Sequence, residues 1–227
     1  MMKIVVLSGA GVSAESGIKT FRDGNGLWEN HDIMEVASPE GFKRNPALVL
    51  DFYNQRRRQL QTVEPNSAHI ALAELEKHHD VTIITQNVDD LHERAGSTDV
   101  IHLHGELLKA RSTVDENLIL EWKDDLNIGD CCDNNHQLRP HIVWFGEMVP
   151  MIEVASEIIE DAYAIIIVGT SMQVYPAAGL IQYAKANAQV YFIDPNPSIN
   201  PTKRISVYAE KASTGVPKVV EKLASMS

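Results

Sequence analysis

The chain has 227 residues, two cysteines and a formal net charge of −11, from 31 acidic and 20 basic side chains. So acidic a chain is not built to bind nucleic acid by neutralising phosphates. One adjacent cysteine pair is no disulfide framework, which points to the cytoplasm. The first apolar run is only four residues long, so neither a signal peptide nor a membrane partner is expected, and the chain reads as compact, without a regulatory tail.

In chain order, apolar runs at 4–7, 81–85, 100–103, 142–145, 164–168 and 190–193 read as strands. Periodic stretches at 47–61, 68–79, 151–161, 177–187 and 216–226 read as helices between or beyond them. Several strands are apolar without alternation, which fits a parallel sheet covered by helices on both faces. The expected fold class is therefore α/β, an open sheet of Rossmann type. Two stretches, 29–66 and 106–140, interrupt the alternation.

The run at 4–7 leads straight into Ser8-Gly9-Ala10-Gly11-Val12-Ser13-Ala14. A strand that meets Gly-Ala-Gly and then a helix start offers backbone N–H groups to a phosphate, and Gly9 and Gly11 let the backbone approach without a Cβ in the way. The full G-x-G-x-x-G is absent, because Ala14 stands at the third glycine position. Ser13 reads as an N-cap or a phosphate-contacting hydroxyl. Phe21 and Arg22, just past the turn, are placed to cover a cofactor. The second strand ends in Gln86-Asn87-Val88-Asp89-Asp90-Leu91-His92 and the third in His104-Gly105.

The blocks GAGVSAESGIKTFR, TQNVDDLHERAG, LHG, RPHIVWFGE and VGTSMQVYPAA follow in this order over nearly the whole chain. Each is modest alone, but five in register are specific. In them the chain resembles the sirtuins, NAD-dependent protein lysine deacylases, and in particular their compact bacterial members. The resemblance implies a single sirtuin-type domain over 1–227. Its Rossmann part would be 1–28, 67–105 and 141–227, and its smaller module 29–66 and 106–140, with substrates in the cleft between them. It also implies NAD as co-substrate and acylated lysine side chains of proteins as partners.

The implied reaction begins when the acyl-lysine carbonyl oxygen attacks the anomeric carbon of the nicotinamide ribose and nicotinamide leaves. A histidine then deprotonates a ribose hydroxyl, which attacks the amidate carbon, and water releases lysine and O-acyl-ADP-ribose. Of nine histidines, His104 matches that base, and imidazole titrates near working pH. His102 is its structural control. Asn87 and Asp89 complete the implied catalytic set, since Asn87 offers both a donor and an acceptor. Asp90 is the alternative to Asp89 and reads better as a helix cap.

For the cofactor, the resemblance adds Gly9, Ala10, Gly11, Ala14, Phe21, Arg22 and Trp28 from the first block, and Gln86 beside Asn87 and Asp89. Gly169, Thr170 and Ser171, after the strand 164–168, form a second cradle. Asp194, Pro195 and Asn196 fall where the family contacts the adenosine ribose, with Ala212 nearby. The family usually has Asn at the first of these. A plain strand-to-turn break is the alternative there.

For the substrate, Val143, Phe145, Gly146 and Glu147 on one segment and Val174 on another would sandwich the peptide backbone as an added strand. Phe145 would wall the lysine stem. Tyr53 and Arg56, three apart on a helix, share a face. They match the Tyr-x-x-Arg pair of members that remove succinyl, malonyl or glutaryl groups, where a distal carboxylate calls for a charged, forked donor. The alternative is that Arg56, Arg57 and Arg58 form a solvated basic face.

The family's small module usually holds zinc through two cysteine pairs. Here Ser112 stands where a first cysteine is expected, and Cys131, Cys132 and His136 offer three ligands at most, so no metal is expected. Mono-ADP-ribosyl transfer and NAD hydrolysis at the same site compete with deacylation. A non-enzymatic NAD sensor is disfavoured because His104 and Asn87 are both present, and a dehydrogenase because the full dinucleotide fingerprint is missing.

Overall fold

Ile4 and Val6 face one side of a central strand, Val5 and Leu7 the other, and all four are buried. That is why the run carries no polar alternation: both faces of the sheet are covered. The computed structural model describes residues 1–19, 27–28, 31–172 and 175–226. Phe21, Arg22 and Val174, named above as site residues, lie outside them.

The elements in chain order begin with β1 (Lys3–Ser8), the two-residue strands β2 (Leu27–Trp28) and β3 (His31–Asp32), and helices α1 (Ile33–Val36), α2 (Pro39–Arg44), α3 (Pro46–Leu60) and α4 (Ser67–Leu75). Then come β4 (Asp80–Thr85), α5 (Leu91–Ala95), β5 (Val100–His102), β6 (Gly105–Ser112), β7 (Ile119–Glu121) and β8 (Leu138–Ile142). The chain finishes with α6 (Ile152–Glu160), β9 (Ala164–Val168), β10 (Gln189–Ile193), β11 (Ile205–Tyr208) and α7 (Ala212–Ala224).

Six strands form a parallel sheet in the order β11-β10-β9-β1-β4-β5. Helices α4 and α7 cover one face, packing Leu72, Leu75, Val216 and Val219 on Ile4 and Ile166. Helix α6 and a 3-10 segment, Ala177–Tyr183, cover the other with Ala155, Ile159 and Leu180. The chain leaves β1 toward β4 on one side and reaches β9 on the other. The carboxyl ends of these strands therefore open a crevice at the point where strand order reverses, the usual ligand site of such sheets. Among the described residues no helix is long and apolar enough to cross a membrane.

A second, antiparallel sheet, ordered β7-β6-β8, sits beside helices α1 to α3. Ser38 and Asn45 accept backbone N–H groups at the starts of α2 and α3, each followed by a proline in the first helical turn. These Ser-Pro and Asn-Pro pairs are start signals that the periodicity alone passed over for α2. The inner face of α3 packs Phe52 and Tyr53 against Trp144 and Ile142. Its opposite side holds the long connection from β7 to β8. The Asn54 side chain donates to the Leu126 carbonyl at 3.0 Å and accepts its N–H at 2.8 Å. Arg57 donates to the Leu107 carbonyl and to Asn54. Arg58 makes a two-pronged pair with Asp125, and Gln61 donates to the Lys123 carbonyl. The arginine run is thus no single solvated face, because Arg57 is fully buried and burial lowers its pKa to about 10.

Two expected elements differ. The apolar stretch 142–145 is mostly loop, and the strand lies before it in β8. Pro140 is tolerated there because β8 is an edge strand. Trp144 owes its apolar character to the core it shares with Tyr53 and Phe52. The stretch 177–187 forms a 3-10 segment instead of an α-helix; its spacing brings buried Ala177 and Leu180 onto one side.

Candidate active site

The crevice is built where two loops touch. A Cβ on Gly9 would stand 2.8 Å from the Thr170 Cβ, and one on Gly11 would stand 2.7 Å from the Gly169 Cα. Gly169 itself has φ +63°. Only glycine permits this approach. The N–H groups of Gly9 and Gly11 donate to the Val168 and Gly169 carbonyls at 3.1 and 2.9 Å, and those of Val12 and Ser13 to Gly9 and Ala10. The expected run of open amides leading into a helix is therefore replaced by two 3-10 turns, Ala10–Val12 and Ala14–Ser16, locked onto the Gly169 loop. The glycines serve loop-to-loop packing, and the two cradles expected from the sequence are one joined surface. Ala14 stands in the second turn, and Thr170 and Ser171 continue the Gly169 side.

Asn87, buried after β4, donates from Nδ2 to the Gly9 carbonyl at 3.3 Å and to Ser13 Oγ at 3.2 Å. His69, in the first turn of α4, accepts the Asn66 N–H at Nδ1, so its Nε2–H faces Ser13 Oγ at 3.5 Å. Burial pulls the His69 pKa down to about 4, which keeps it neutral. Asp89 is buried in the same floor; burial raises its carboxyl to about 6, against hydrogen bonds from Ser13 and the Leu91 N–H. It is Asp89 that supplies the carboxylate to the start of α5. Asp90 holds the N-cap position without a side-chain cap bond. His69 escaped the sequence reading because a histidine in a capping box has no mark of function; Ser13 was visible only as a cap or phosphate contact.

His104 follows β5. Its Nδ1–H donates to the Gln86 carbonyl at 3.0 Å, which leaves Nε2 as the basic nitrogen. Burial lowers its pKa, partly offset by that bond. Gln86 is held in turn by a 3.0 Å bond to Thr170 Oγ1. His102 donates to the next carbonyl, of Asn87, at 2.9 Å, and its Nε2 meets the Glu93 carboxylate at 2.6 Å. Burial acts against the charged form, but the Glu93 pair outweighs it and raises the His102 pKa.

Farther along the crevice Asp194, only 2% exposed, accepts the Asn196 N–H at 2.9 Å across Pro195. This is a side-chain-closed turn at the end of β10. Ala212 opens α7 and is buried. Glu15 reaches over from the first loop to accept the Ser213 N–H and hydroxyl at 2.9 and 2.7 Å, placing a carboxylate at that helix start.

On the small-module side, Tyr53 and Arg56 line one cavity together with Trp28, Lys19, Val88 and Asp89. The Tyr53 hydroxyl accepts the Trp144 Nε1–H at 3.0 Å, and burial pushes its phenol pKa up. The Arg56 guanidinium lies 3.5 Å over the Phe52 ring and donates to the Phe52 carbonyl at 2.6 Å. Lys19 is a second cation on this cavity that the sequence reading did not single out. The Val143 N–H donates to the His104 carbonyl at 2.9 Å, Phe145 is 45% exposed, and Gly146 has φ +92°. Glu147, expected as a substrate residue, has its carboxylate engaged inside the chain by Arg139 at 2.6 and 3.1 Å, Arg111 at 3.2 and 3.3 Å and the Trp144 N–H at 2.8 Å. Its visible role is to tie the 143–147 loop to the antiparallel sheet.

The residues at the family's zinc position do not fit a metal. Cys131 is exposed, whereas Cys132 is buried among Leu50, Ala110, Leu126 and Leu138, so the two thiols do not converge. The Cys132 thiol lies 3.9 Å from Ser112 Oγ. No group of three His, Cys, Asp or Glu among the described residues is arranged to hold an ion.

Comparisons with known proteins identify the family to which the chain as a whole is similar. The Sir2 family pattern matches residues 9–176. A Helicobacter pylori protein named NAD-dependent protein deacylase is 65% identical over 195 residues, covering 86% of this chain and 85% of its own. A Bacteroides thetaiotaomicron protein of the same name is 53% identical over 230 residues, covering 98% of each. A solved Sir2 homolog–NAD complex, 40% identical, superimposes with a TM-score of 0.88 over 99% of this chain and 90% of its own. The five sequence blocks, the sheet with its glycine-packed crevice and these relatives agree: the chain belongs to the Sir2 family.

Proposed function

We propose that the chain is an NAD-dependent protein lysine deacylase that takes NAD as co-substrate and acylated lysine side chains of proteins as the other substrate. The observation that carries this reading is His104. Its Nδ1–H is tied to the Gln86 carbonyl, and its Nε2 is therefore a neutral base at working pH. NAD supplies an electrophilic anomeric carbon and the ribose hydroxyl that His104 would deprotonate. Asn87 fixes the crevice floor through Gly9 and Ser13. Asp89, its pKa near 6, brings a carboxyl whose charge follows its surroundings. The joined Gly9, Gly11 and Gly169 loops form the bed for the pyrophosphate, and the Asp194 turn and Ala212 lie toward the adenosine end. The exposed Phe145 ring would flank the lysine stem.

The acyl preference extends to succinyl and malonyl groups beside acetyl. Tyr53 and Arg56 share one cavity with Asp89, so a chain entering beside the catalytic floor would reach them at its distal end. A guanidinium stacked on Phe52 and a phenol held by Trp144 are pre-positioned, which suits a carboxylate more than a methyl group. The test is mass spectrometry of reactions with NAD and a panel of acetyl-, malonyl-, succinyl- and glutaryl-lysine peptides. Free lysine peptide together with O-acyl-ADP-ribose is the expected product pair. Nicotinamide release with no loss of acyl group from any peptide would assign the site to NAD hydrolysis or ADP-ribosyl transfer.

A further inference from the structure

Beneath the crevice lies a buried histidine that the chemistry above does not use. His92, on α5, is fully buried. Its Nε2 stands 2.9 Å from Ser8 Oγ at the end of β1. The Ser8 hydroxyl donates to Thr85 Oγ1 at 2.8 Å, so its oxygen accepts from His92, which fixes the Nε2–H tautomer. Thr85 Oγ1 also accepts the Asn87 backbone N–H at 3.0 Å. A continuous chain of hydrogen bonds therefore runs from His92 through Ser8 and Thr85 to Asn87, joining α5 to the ends of β1 and β4.

What this chain holds is the short segment that presents the reactive groups. The Gln86 carbonyl orients His104, and the Asn87 side chain spans Gly9 and Ser13. On its other side the His92 ring meets the His69 ring edge-on at 4.9 Å, and His69 faces Ser13. His92 thus stands one residue behind two supports of Asn87, against Ser8 behind Thr85 and against His69 behind Ser13. Burial, with the neighbouring His69 and His102 rings, holds its pKa well below the ordinary range, so it stays a neutral donor.

We propose that His92 is a positioning residue for the reaction: by donating from Nε2 to Ser8 it locks the 85–87 turn and so sets the Asn87 amide and the Gln86 carbonyl that aims His104. This rests on the deacylase reading only in its choice of assay.

The test compares His92→Phe, which keeps a ring but deletes the donor, with His92→Gln, which keeps a donor, and with Ser8→Ala, which removes the relay. Each is assayed for deacylation of an acetyl-lysine peptide, with thermal unfolding in parallel. A slight misplacement of a base costs tens of fold, so His92→Phe and Ser8→Ala should each lower kcat by about 10- to 100-fold while KM for NAD stays within about 3-fold. His92→Gln should recover most of that loss, and the acid limb of the kcat profile should move in the Phe variant but not in the Gln variant. Wild-type kcat in folded Ser8→Ala, or equal losses in the Phe and Gln variants, would overturn the proposal. If His92→Phe fails to fold, Ser8→Ala and His92→Gln still decide it. An inactive wild-type protein would strike the deacylase reading, whereas an active wild type with active variants strikes only the role of His92.

Discussion

His104 and His102 donate their Nδ1–H groups to adjacent carbonyls, of Gln86 and Asn87, yet only His102 meets a carboxylate, that of Glu93. Two histidines on one strand end are thereby given opposite characters. His102 is held toward the charged form as a brace between β5 and α5. His104 is held neutral, with Nε2 as its basic nitrogen.

The first prediction follows from that contrast. His104→Ala should lower deacylation by roughly 100- to 10,000-fold, the usual worth of a positioned base, while NAD binding changes little. His102→Ala should lower the thermal midpoint through loss of the Glu93 brace but change kcat by less than about tenfold. Kinetics and calorimetric NAD titration on the folded variants check both. Equal losses of kcat would remove the base role from His104.

Stability should fall on mild acidification. His69, with a pKa of about 4, and His92, lowered well below its ordinary value, are neutral in the fold. The unfolded chain protonates both near 6.5, so it binds more protons between about 4 and 6.5 and the fold loses stability as pH drops through that window. His104 and His141, also lowered by burial, act in the same direction. Asp89, raised to about 6 by burial, Asp90, also raised by burial, and His102, raised by its Glu93 partner, act oppositely: they favour the fold at low pH and lose that contribution as pH rises. The lowered imidazoles, His69 and His92 foremost, outweigh these three groups. The thermal midpoint at pH 5 should lie at least about 3 °C below that at pH 7, a shift of the order of 1 kcal/mol for a chain of this size. An equal or higher midpoint at pH 5 would contradict the assignment.

The order of the five blocks was legible in the sequence because each sits where a backbone must turn sharply or a side chain must reach the crevice. Gly9, Gly11 and Gly169 announce themselves by lacking a side chain. Why they lack one was not legible: each makes room for another loop about 160 residues away in the chain. The internal partners of Glu147 and Arg57 were hidden for a related reason. A charged residue in sequence suggests solvent or ligand, and only the fold shows that two arginines close on Glu147 and that Arg57 lies fully buried. His69 left no signal, and His92 stood in a recognised block with no role of its own, since their tautomers depend on partners from other strands and helices.

The small module should hold together without a metal. Its 118–138 connection is gripped by Asn54, Arg58 and Gln61, and Cys132 packs as an apolar residue. Chelator should leave activity unchanged. Asn54→Ala should destabilise by about 2–4 kcal/mol, because it strips partners from the Leu126 N–H and carbonyl together. Metal analysis with a chelation assay and denaturant unfolding check the two claims. Stoichiometric zinc with chelator-sensitive activity would refute the first.

The last prediction concerns the acyl end of the substrate. Arg56 and Tyr53 line one cavity, and Arg56→Met preserves length while deleting charge and donors. If the pair binds a distal carboxylate, its loss should cost roughly 2–4 kcal/mol of transition-state binding, or about 30- to 1000-fold in kcat/KM for a succinyl-lysine peptide. Acetyl-lysine has no distal charge, so its turnover should hold or rise. Tyr53→Phe should move the ratio the same way by less, since it removes one neutral hydrogen bond, and it also frees the Trp144 Nε1–H. Lys19→Met tests whether the second cation on the cavity contributes. The control is Arg58→Met: its exposed pair with Asp125 is worth little. Arg57→Met is unsuitable, because that side chain is buried against Leu107 and Asn54 and its removal would disturb the module. If Arg56→Met and Arg58→Met leave the succinyl-to-acetyl ratio equally unchanged, Arg56 serves only to cover Phe52 and the acidic-acyl preference is wrong.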